Sequence, residues 1–193
     1  MKIFIIVFIM FGFFSKVSAN YAQLAYEFQF KSINGKTINL SSYKKKVIVV
    51  VNVASRCGFT KQYDDLQNLW TNYKDNNLVV IGVPTNDFKQ EPASNKEIKE
   101  FCETNFNIDF LLTEKISVLG ENAHPFYKWA NKNYGNGAIP KWNFHKIIIG
   151  KDGKVADTFA SITNPSSKSL LILSKNKLKI KTQTIISWHN IFW

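Results

Sequence analysis

The chain has 193 residues, of which 45% are hydrophobic and 20% charged, and its formal net charge is +11. This length and composition allow one domain with a sizeable core and exclude two ordinary domains. The lysines are spread along the chain without a zinc-finger or RNA-binding signature. We therefore expect no nucleic-acid partner, but a solvated basic face that makes peripheral contact with anionic membrane.

The N-terminus has the pattern of a secretory signal peptide. Lys2 supplies a positive start, residues 3–14 are apolar, and small side chains lead up to Ala19. A membrane anchor is the alternative, but a span needs about 20 apolar residues. The sequence thus predicts cleavage after Ala19, so that residues 1–19 are removed and the protein is exported to the periplasm or secreted. Loss of Lys2 and Lys16, with no acidic residue, lowers the charge by two, to +9.

A β-α-β unit follows a lead-in hairpin. Asn34-Gly35, a strong hairpin turn signal, lies between two short alternating segments. Residues 46–53 are a continuous β-branched run, as in a central strand covered on both faces. Apolar residues then recur at helical spacing from Lys61, and residues 78–83 form a second buried strand. This order requires parallel strands with a right-handed crossover.

The second half of the chain predicts further helices and strands. Ser94 and Glu97 form a capping box at the start of a helix. The later elements are a short strand at 110–112, a helix at 124–132, two antiparallel strands around 151–153 and a last helix from about Asn164-Pro165. The fold class is therefore α/β and thioredoxin-like, with a mixed central sheet flanked by helices and an N-terminal β-hairpin.

The expected domain covers residues 20–180, and residues 181–193 form an atypical apolar tail. The tail ends in Ile, Trp and Phe side chains that are costly to expose to water. Three explanations stay open: the tail docks on the domain, it meets a membrane, or it reflects an altered reading frame.

Cys57 follows the first central strand, and we expect it at the start of the next helix. Unpaired backbone N–H groups there favour the thiolate, which is the nucleophilic form. Thr60 stands where a Cys-x-x-Cys dithiol would have its second cysteine, so simple disulfide exchange is disfavoured. Acyl transfer would need a Cys–His pair, and His124 and His145 fit better as a helix-start and a strand residue. Peroxide reduction needs chiefly the thiolate and hydrogen-bond donors for the departing oxygen.

Three segments resemble the signature blocks of the glutathione peroxidase family, in order and spacing. They are NVASRCGFTKQYDDL (52–66), KQEP (89–92) and KWNF (141–144). The resemblance extends from about Tyr26 to Ser169 and implies a cysteine-type enzyme of the thioredoxin-dependent, phospholipid-hydroperoxide-like branch. It gives Cys57 the peroxidatic role and makes Gln90, Trp142 and Asn143 the other members of a catalytic tetrad. Their amide and indole N–H groups do not titrate near neutral pH.

Cys102 has two interpretations. It shares a predicted helix face with Ile98 and Phe101, as a small buried hydrophobic residue would. The resemblance of EFCETNF to the family instead implies the resolving thiol, which is the interpretation we adopt. The implied cycle runs from a Cys57 sulfenic acid to a Cys57–Cys102 disulfide, which a thioredoxin-like protein or glutathione reduces. Because Cys102 lies on a packed face, residues 95–106 should unwind locally.

The resemblance also implies hydrogen peroxide and organic or lipid hydroperoxides as substrates, and no cofactor or metal. Only 17 residues separate His124 from Trp142, which leaves no room for the insert that tetrameric animal members use in assembly, so we expect a monomer. Asp87 departs from the family pattern and adds a negative charge near the expected site.

Two alternatives to the peroxidase function stay open: a non-enzymatic peroxide sensor, and an exported domain held by a structural Cys57–Cys102 disulfide.

Overall fold

A computed structural model describes residues 21–168 and Leu170. The expected signal peptide at 1–19 and the tail at 181–193 lie outside the described residues. The strands are β1 (Gln29–Lys31), β2 (Thr37–Asn39), β3 (Val47–Val53), β4 (Leu78–Pro84), β5 (Leu111–Leu112), β6 (Lys146–Ile149) and β7 (Val155–Phe159). The α-helices are α1 (Gln62–Tyr73), α2 (Asn95–Phe106) and α3 (Pro125–Tyr134).

The lead-in hairpin forms as predicted. Strands β1 and β2 pair antiparallel, with Phe30 opposite Ile38, and both side chains are buried. Gly35 has a φ of +80°, a backbone conformation that glycine adopts without a Cβ penalty. The hairpin is a separate two-stranded sheet that covers one side of the domain.

The central sheet is mixed and has the strand order β5-β4-β3-β6-β7. Strand β3 runs parallel to β4 and antiparallel to β6. Every residue of β3 and β4 is buried, because their continuous apolar sequences face helices on both sides. The carboxyl ends of β3 and β4 therefore lie at the same edge of the sheet, where the segments with Cys57 and Gln90 emerge.

The two faces of the sheet have separate cores. Val49 and Val51 face the core that contains Cys57 and Cys102, against α1 and α2. Ile48 joins the opposite core, where α3 and the hairpin pack. This arrangement confirms the predicted thioredoxin-like fold with helices on both faces of a mixed sheet.

Helix α1 begins later than the position of Cys57 suggested. Gln62, its first residue, lies five positions after the cysteine. The chain between them makes successive turns, in which the Thr60 N–H donates to the Cys57 carbonyl at 3.1 Å. The earlier N–H groups of Ser55 and Arg56 donate to the segment around Gln90 instead of facing solvent. The expectation that Cys57 opens the helix was therefore wrong.

The other helix starts agree better with the sequence. Ser94 and Glu97 form the predicted capping box of α2, with the Ser94 N–H 2.7 Å from the Glu97 carboxylate. His124 caps α3 and accepts a hydrogen bond from the Phe126 N–H. Near the C-terminus, Asn164 makes a turn rather than a helix start, and Lys168 is the first helical residue there.

Lys146 is a fully buried lysine that the sequence did not single out. Its Nζ donates to the Gln62 side chain and to the Thr163 carbonyl. These bonds join β6, the start of α1 and the segment that follows β7. Burial lowers the pKa of Lys146 to about 7.

Along the described ranges, no helix has both the length and the apolar character needed to cross a bilayer.

Candidate active site

Cys57 lies in the turn that follows β3, and its side chain is only 4% exposed. The Phe59 N–H donates to its sulfur at 3.5 Å. This contact offers a backbone donor to a negatively charged sulfur, although it comes from a turn and not from the first turn of α1. Cys57 and Cys102 are both free thiols.

Gln90 and Asn143 join two chain segments beside this turn. The Asn143 side-chain N–H donates to the Gln90 side-chain oxygen at 2.8 Å. The Arg56 N–H, one residue before Cys57, donates to the Gln90 carbonyl at 3.1 Å. Three of the predicted tetrad members are therefore tied into one network.

The backbone of Trp142 is held in place by a residue of β3. The Asn52 side chain, in β3, donates to the Trp142 carbonyl at 3.1 Å. The indole ring lies against Phe88, with ring centroids 5.4 Å apart, and remains 41% exposed. Trp142 thus lies at the surface edge of the network, partly covered by Phe88 and partly exposed to solvent.

Two residues next to the tetrad have left-handed backbones. Lys89 precedes Gln90 with a φ of +58°, and Phe144 follows Asn143 with a φ of +63°. Such conformations cost about 1–3 kcal/mol in a residue other than glycine, and they concentrate at functional sites. The Phe144 conformation is fixed by a hydrogen bond from its N–H to the Asn52 carbonyl.

Polar groups without partners occur in the segments beside the turn that carries Cys57. Within residues 21–168 and 170, the Gln90 N–H₂ group and the Trp142 indole N–H donate to no acceptor. The Asn143 side-chain oxygen is buried and accepts no hydrogen bond. The arrangement can therefore donate hydrogen bonds to an oxygen that gains negative charge and accept one from an O–H group.

Glu91 is an important residue that the sequence reasoning missed. Its buried carboxylate accepts hydrogen bonds from the N–H and the hydroxyl of Ser55, both at 2.6 Å. Burial raises the pKa of the Glu91 carboxyl, while the Ser55 bonds and the charges of Lys115 and Arg56 lower it. An acidic residue beside Gln90 in the KQEP block was the available signal, but nothing in the sequence identified Ser55 as its partner.

Neither candidate histidine pairs with Cys57. His124 stacks on Phe30 with ring centroids 4.4 Å apart, in the core on the opposite face of the sheet. Burial lowers the pKa of His145 to about 4, so its imidazole is neutral near pH 7. Among the described residues no histidine makes a hydrogen bond to the Cys57 sulfur, and no group of three or more His, Cys, Asp or Glu could hold a metal ion. The geometry thus gives no support to acyl transfer.

Asp87 has a structural role. Its carboxylate accepts hydrogen bonds from the Val118 and Leu119 N–H groups, at 2.6 and 2.9 Å, and from the Ser117 hydroxyl. The negative charge that departs from the family pattern is thus satisfied by the segment that leads to α3.

Cys102 lies on α2 and is completely buried. Burial raises the pKa of its thiol to about 12, so the thiol is protonated at neutral pH. Cys57 and Cys102 belong to the same core, and the structure is therefore compatible with both interpretations of Cys102.

A groove of about 540 Å³ lies next to Trp142. Its lining is mostly apolar and includes Phe59, Ile139, Trp142 and Ile162. Ile162 is 80% exposed, so its side chain offers apolar surface to the groove. The groove adjoins the tetrad through Trp142.

Comparison with known proteins gives consistent results. A family model described as glutathione peroxidase matches residues 25–131. A glutathione peroxidase of Lactococcus lactis subsp. cremoris is 44% identical over 144 residues, which cover 72% of this chain and 91% of that protein. The hydroperoxy fatty acid reductase gpx1 of a Synechocystis species is 40% identical over 149 residues, covering 72% of this chain and 88% of that protein.

Solved structures agree. The crystal structure of GPX1 from T. cruzi matches with a TM-score of 0.60 and 31% identity, over 81% of this chain and 94% of that one. A thioredoxin-family thiol:disulfide interchange protein from Chlorobium tepidum has a TM-score of 0.60 at 16% identity, over 78% of this chain and 92% of that one. At that identity the second likeness concerns the fold alone.

Glu91→Gln should weaken both the fold and the site. The amide places a donor where the carboxylate accepts two hydrogen bonds, so we expect a loss of about 1–3 kcal/mol in the free energy of unfolding. The displaced turn should also slow oxidation of Cys57 by about tenfold or more. Urea unfolding and stopped-flow oxidation by hydrogen peroxide measure the two effects. Glu121→Gln, at an exposed position, is the control, and equal behaviour of the two variants would contradict a positioning role for Glu91.

Proposed function

Because the chain belongs to the glutathione peroxidase family and is a peroxidase, we propose that it reduces hydrogen peroxide and organic or lipid hydroperoxides through the thiolate of Cys57. The observation that carries this proposal is the network around Cys57, in which Gln90 and Asn143 bond to each other beside the turn. Its unpartnered amide and indole N–H groups can donate hydrogen bonds to the oxygen that gains negative charge as the O–O bond breaks.

In the oxidation step, the Cys57 sulfur attacks the nearer oxygen of the hydroperoxide. The O–O bond breaks, and the farther oxygen leaves as hydroxide or alkoxide and takes up a proton to become water or an alcohol. Gln90 and Trp142 donate hydrogen bonds to that oxygen as it gains charge, and Asn143 accepts one from the peroxide O–H. Cys57 ends as a sulfenic acid.

In the resolving step, the Cys102 sulfur attacks the oxidised sulfur of Cys57. The S–S bond forms, the S–O bond breaks, and the departing oxygen leaves as water. The complete burial of Cys102 within α2 supports a local opening of residues 95–106 before the two sulfurs meet.

The reductant we propose is a thioredoxin-like dithiol protein, with glutathione as the second choice. Either one supplies two electrons as two thiols become a disulfide, which returns Cys57 and Cys102 to their reduced forms. The groove beside Trp142 supports lipid hydroperoxides as substrates, because Phe59 and Ile162 offer apolar contact to an acyl chain.

The cellular setting is also a proposal. Residues 1–19 support export with cleavage after Ala19, and the exposed Lys44 and Lys45 support peripheral contact with anionic membrane. The short connection before Trp142 supports a monomer. Outside the cytoplasm, the reductant would be an exported thioredoxin-like protein.

The cysteine chemistry can be tested on the reduced full-length chain mixed with one equivalent of hydrogen peroxide. Peptide mass analysis should find a Cys57–Cys102 disulfide, which thioredoxin reverses quickly. Amide hydrogen exchange should show that α2 loses protection when the disulfide forms. A sulfenic acid that persists on Cys57 beside a free Cys102 would contradict the two-cysteine cycle and favour the sensor alternative. A Cys57→Ser chain should consume no peroxide.

Trp142→Phe and Asn143→Ala should each slow the oxidation of Cys57 by about 100-fold. The first removes an indole N–H while it keeps a ring against Phe88, and the second removes the amide that bonds to Gln90. Reduction of the disulfide should be unchanged. Stopped-flow kinetics separate the two half-reactions.

A matched control for the tryptophan is Trp70→Phe, because the Trp70 indole N–H also lacks an acceptor but lies on α1, away from the network. Unchanged oxidation rates in the Trp142 and Asn143 variants would remove these residues from the mechanism.

Export predicts that the chain recovered from the periplasm or the culture medium begins at Asn20. Intact-mass measurement of the protein from each cell fraction identifies its first residue. A chain that still begins at Met1 and stays with the membrane would support the anchor alternative instead.

A further inference from the structure

Tyr63 lies in the same buried core as the two cysteines. It lies on the first turn of α1 and its side chain is completely buried. Its ring packs against Phe101 and Phe106 of α2, with centroids 6.4 and 5.1 Å away, and these two residues flank Cys102. Its other neighbour is Phe144, at 5.1 Å, which follows Asn143. The tyrosine is therefore held by the segment of the resolving thiol and by that of the tetrad.

The Tyr63 hydroxyl has no hydrogen bond of good geometry. A buried polar group in that state costs about 1–3 kcal/mol, which a phenylalanine would not incur. The charged or titratable groups that interact with this hydroxyl are Cys102, Glu91 and Cys57, from three different segments. It lies close enough to Cys102 to oppose the effect of burial on that thiol.

Resolution of the oxidised Cys57 requires two proton movements, and both sulfurs start from buried positions in the reduced protein. The thiol of Cys102 must lose a proton, and the hydroxide that leaves Cys57 must gain one. In the reduced protein both sulfurs are shielded from solvent, and the buried carboxylate of Glu91 is engaged by Ser55. Within the described residues, the Tyr63 hydroxyl is a buried O–H group without a hydrogen bond of good geometry, and it lies in the same core as both sulfurs.

We propose that Tyr63 relays the proton in the resolving step, an inference that rests on the proposed two-cysteine cycle. As the Cys102 sulfur attacks the sulfenic sulfur of Cys57, the thiol proton moves to the Tyr63 oxygen. The hydroxyl proton of Tyr63 moves to the departing hydroxide, which leaves as water. The S–S bond forms, the S–O bond breaks, and Tyr63 ends neutral.

Burial keeps the phenol protonated between turnovers, because it raises the pKa of Tyr63 well above its ordinary value. A relay of this kind needs no stable phenolate, since the phenol oxygen accepts one proton as it gives up another. In the reduced protein the hydroxyl already interacts with Cys102, and in the proposed step it completes a hydrogen bond of good geometry as the two sulfurs approach.

The chain offers a matched control in Tyr127. That tyrosine is also buried, and its hydroxyl also has no hydrogen bond. It lies on α3, in the core on the other face of the sheet, which contains neither cysteine. Replacing it with phenylalanine removes the same group in a similar environment, away from the sulfurs.

The test compares Tyr63→Phe, Tyr127→Phe and the unchanged protein, each as the full-length chain. Reduced protein is mixed with one equivalent of hydrogen peroxide, quenched at intervals with a reagent that traps sulfenic acids, and analysed by mass spectrometry. In Tyr63→Phe, the sulfenic acid should form at the normal rate, while the Cys57–Cys102 disulfide forms about tenfold more slowly or worse. Tyr127→Phe should change neither rate.

A second readout separates proton relay from packing. The rate of disulfide formation should fall in deuterium oxide for the unchanged protein and for Tyr127→Phe, and fall less for Tyr63→Phe. Equal disulfide rates in the two phenylalanine variants would overturn the proposal, as would a Tyr63→Phe variant in which oxidation of Cys57 also slows. If the unchanged protein forms no Cys57–Cys102 disulfide, the two-cysteine cycle itself has failed, which is a different result.

Discussion

The site depends on one buried carboxylate. Glu91 accepts two short hydrogen bonds from Ser55, and this contact fixes the turn that carries Cys57 against the segment that carries Gln90. A buried carboxylate is costly unless its oxygens are bonded, and here the N–H and the hydroxyl of Ser55 supply those bonds. Cys57 itself lies in a turn outside α1, which begins five residues later.

The sheet decides which segments meet at this place. Because β3 and β4 are parallel, the turn with Cys57 and the segment with Gln90 leave the sheet at the same edge. Strand β6 runs antiparallel to β3 and enters from that edge, which brings Asn143 beside Gln90. The left-handed backbones on either side of this pair show that the fold holds the amides in place against a local conformational cost.

Helix α2 serves stability and chemistry in different states of the protein. In the reduced state its capping box is complete, and Cys102 packs as an apolar side chain beneath Tyr63. In the proposed cycle the same helix opens to deliver its thiol. Cys102 suits both states, because it packs as a buried side chain in the reduced protein and becomes the attacking thiol only after Cys57 is oxidised.

The sequence by itself predicted most of the elements, and its resemblance to the family predicted the tetrad of Cys57 and its three hydrogen-bonding residues. The apolar runs of β3 and β4, the Ser94 capping box and the three signature blocks are local patterns, and each is set by residues close together in the chain. Only the tertiary structure decided that Cys57 stays in a turn outside α1, which partner Glu91 has, and that Tyr63 shares one core with both cysteines. These features depend on contacts between segments far apart in sequence, which pair only after the sheet has formed, and no local pattern encodes them.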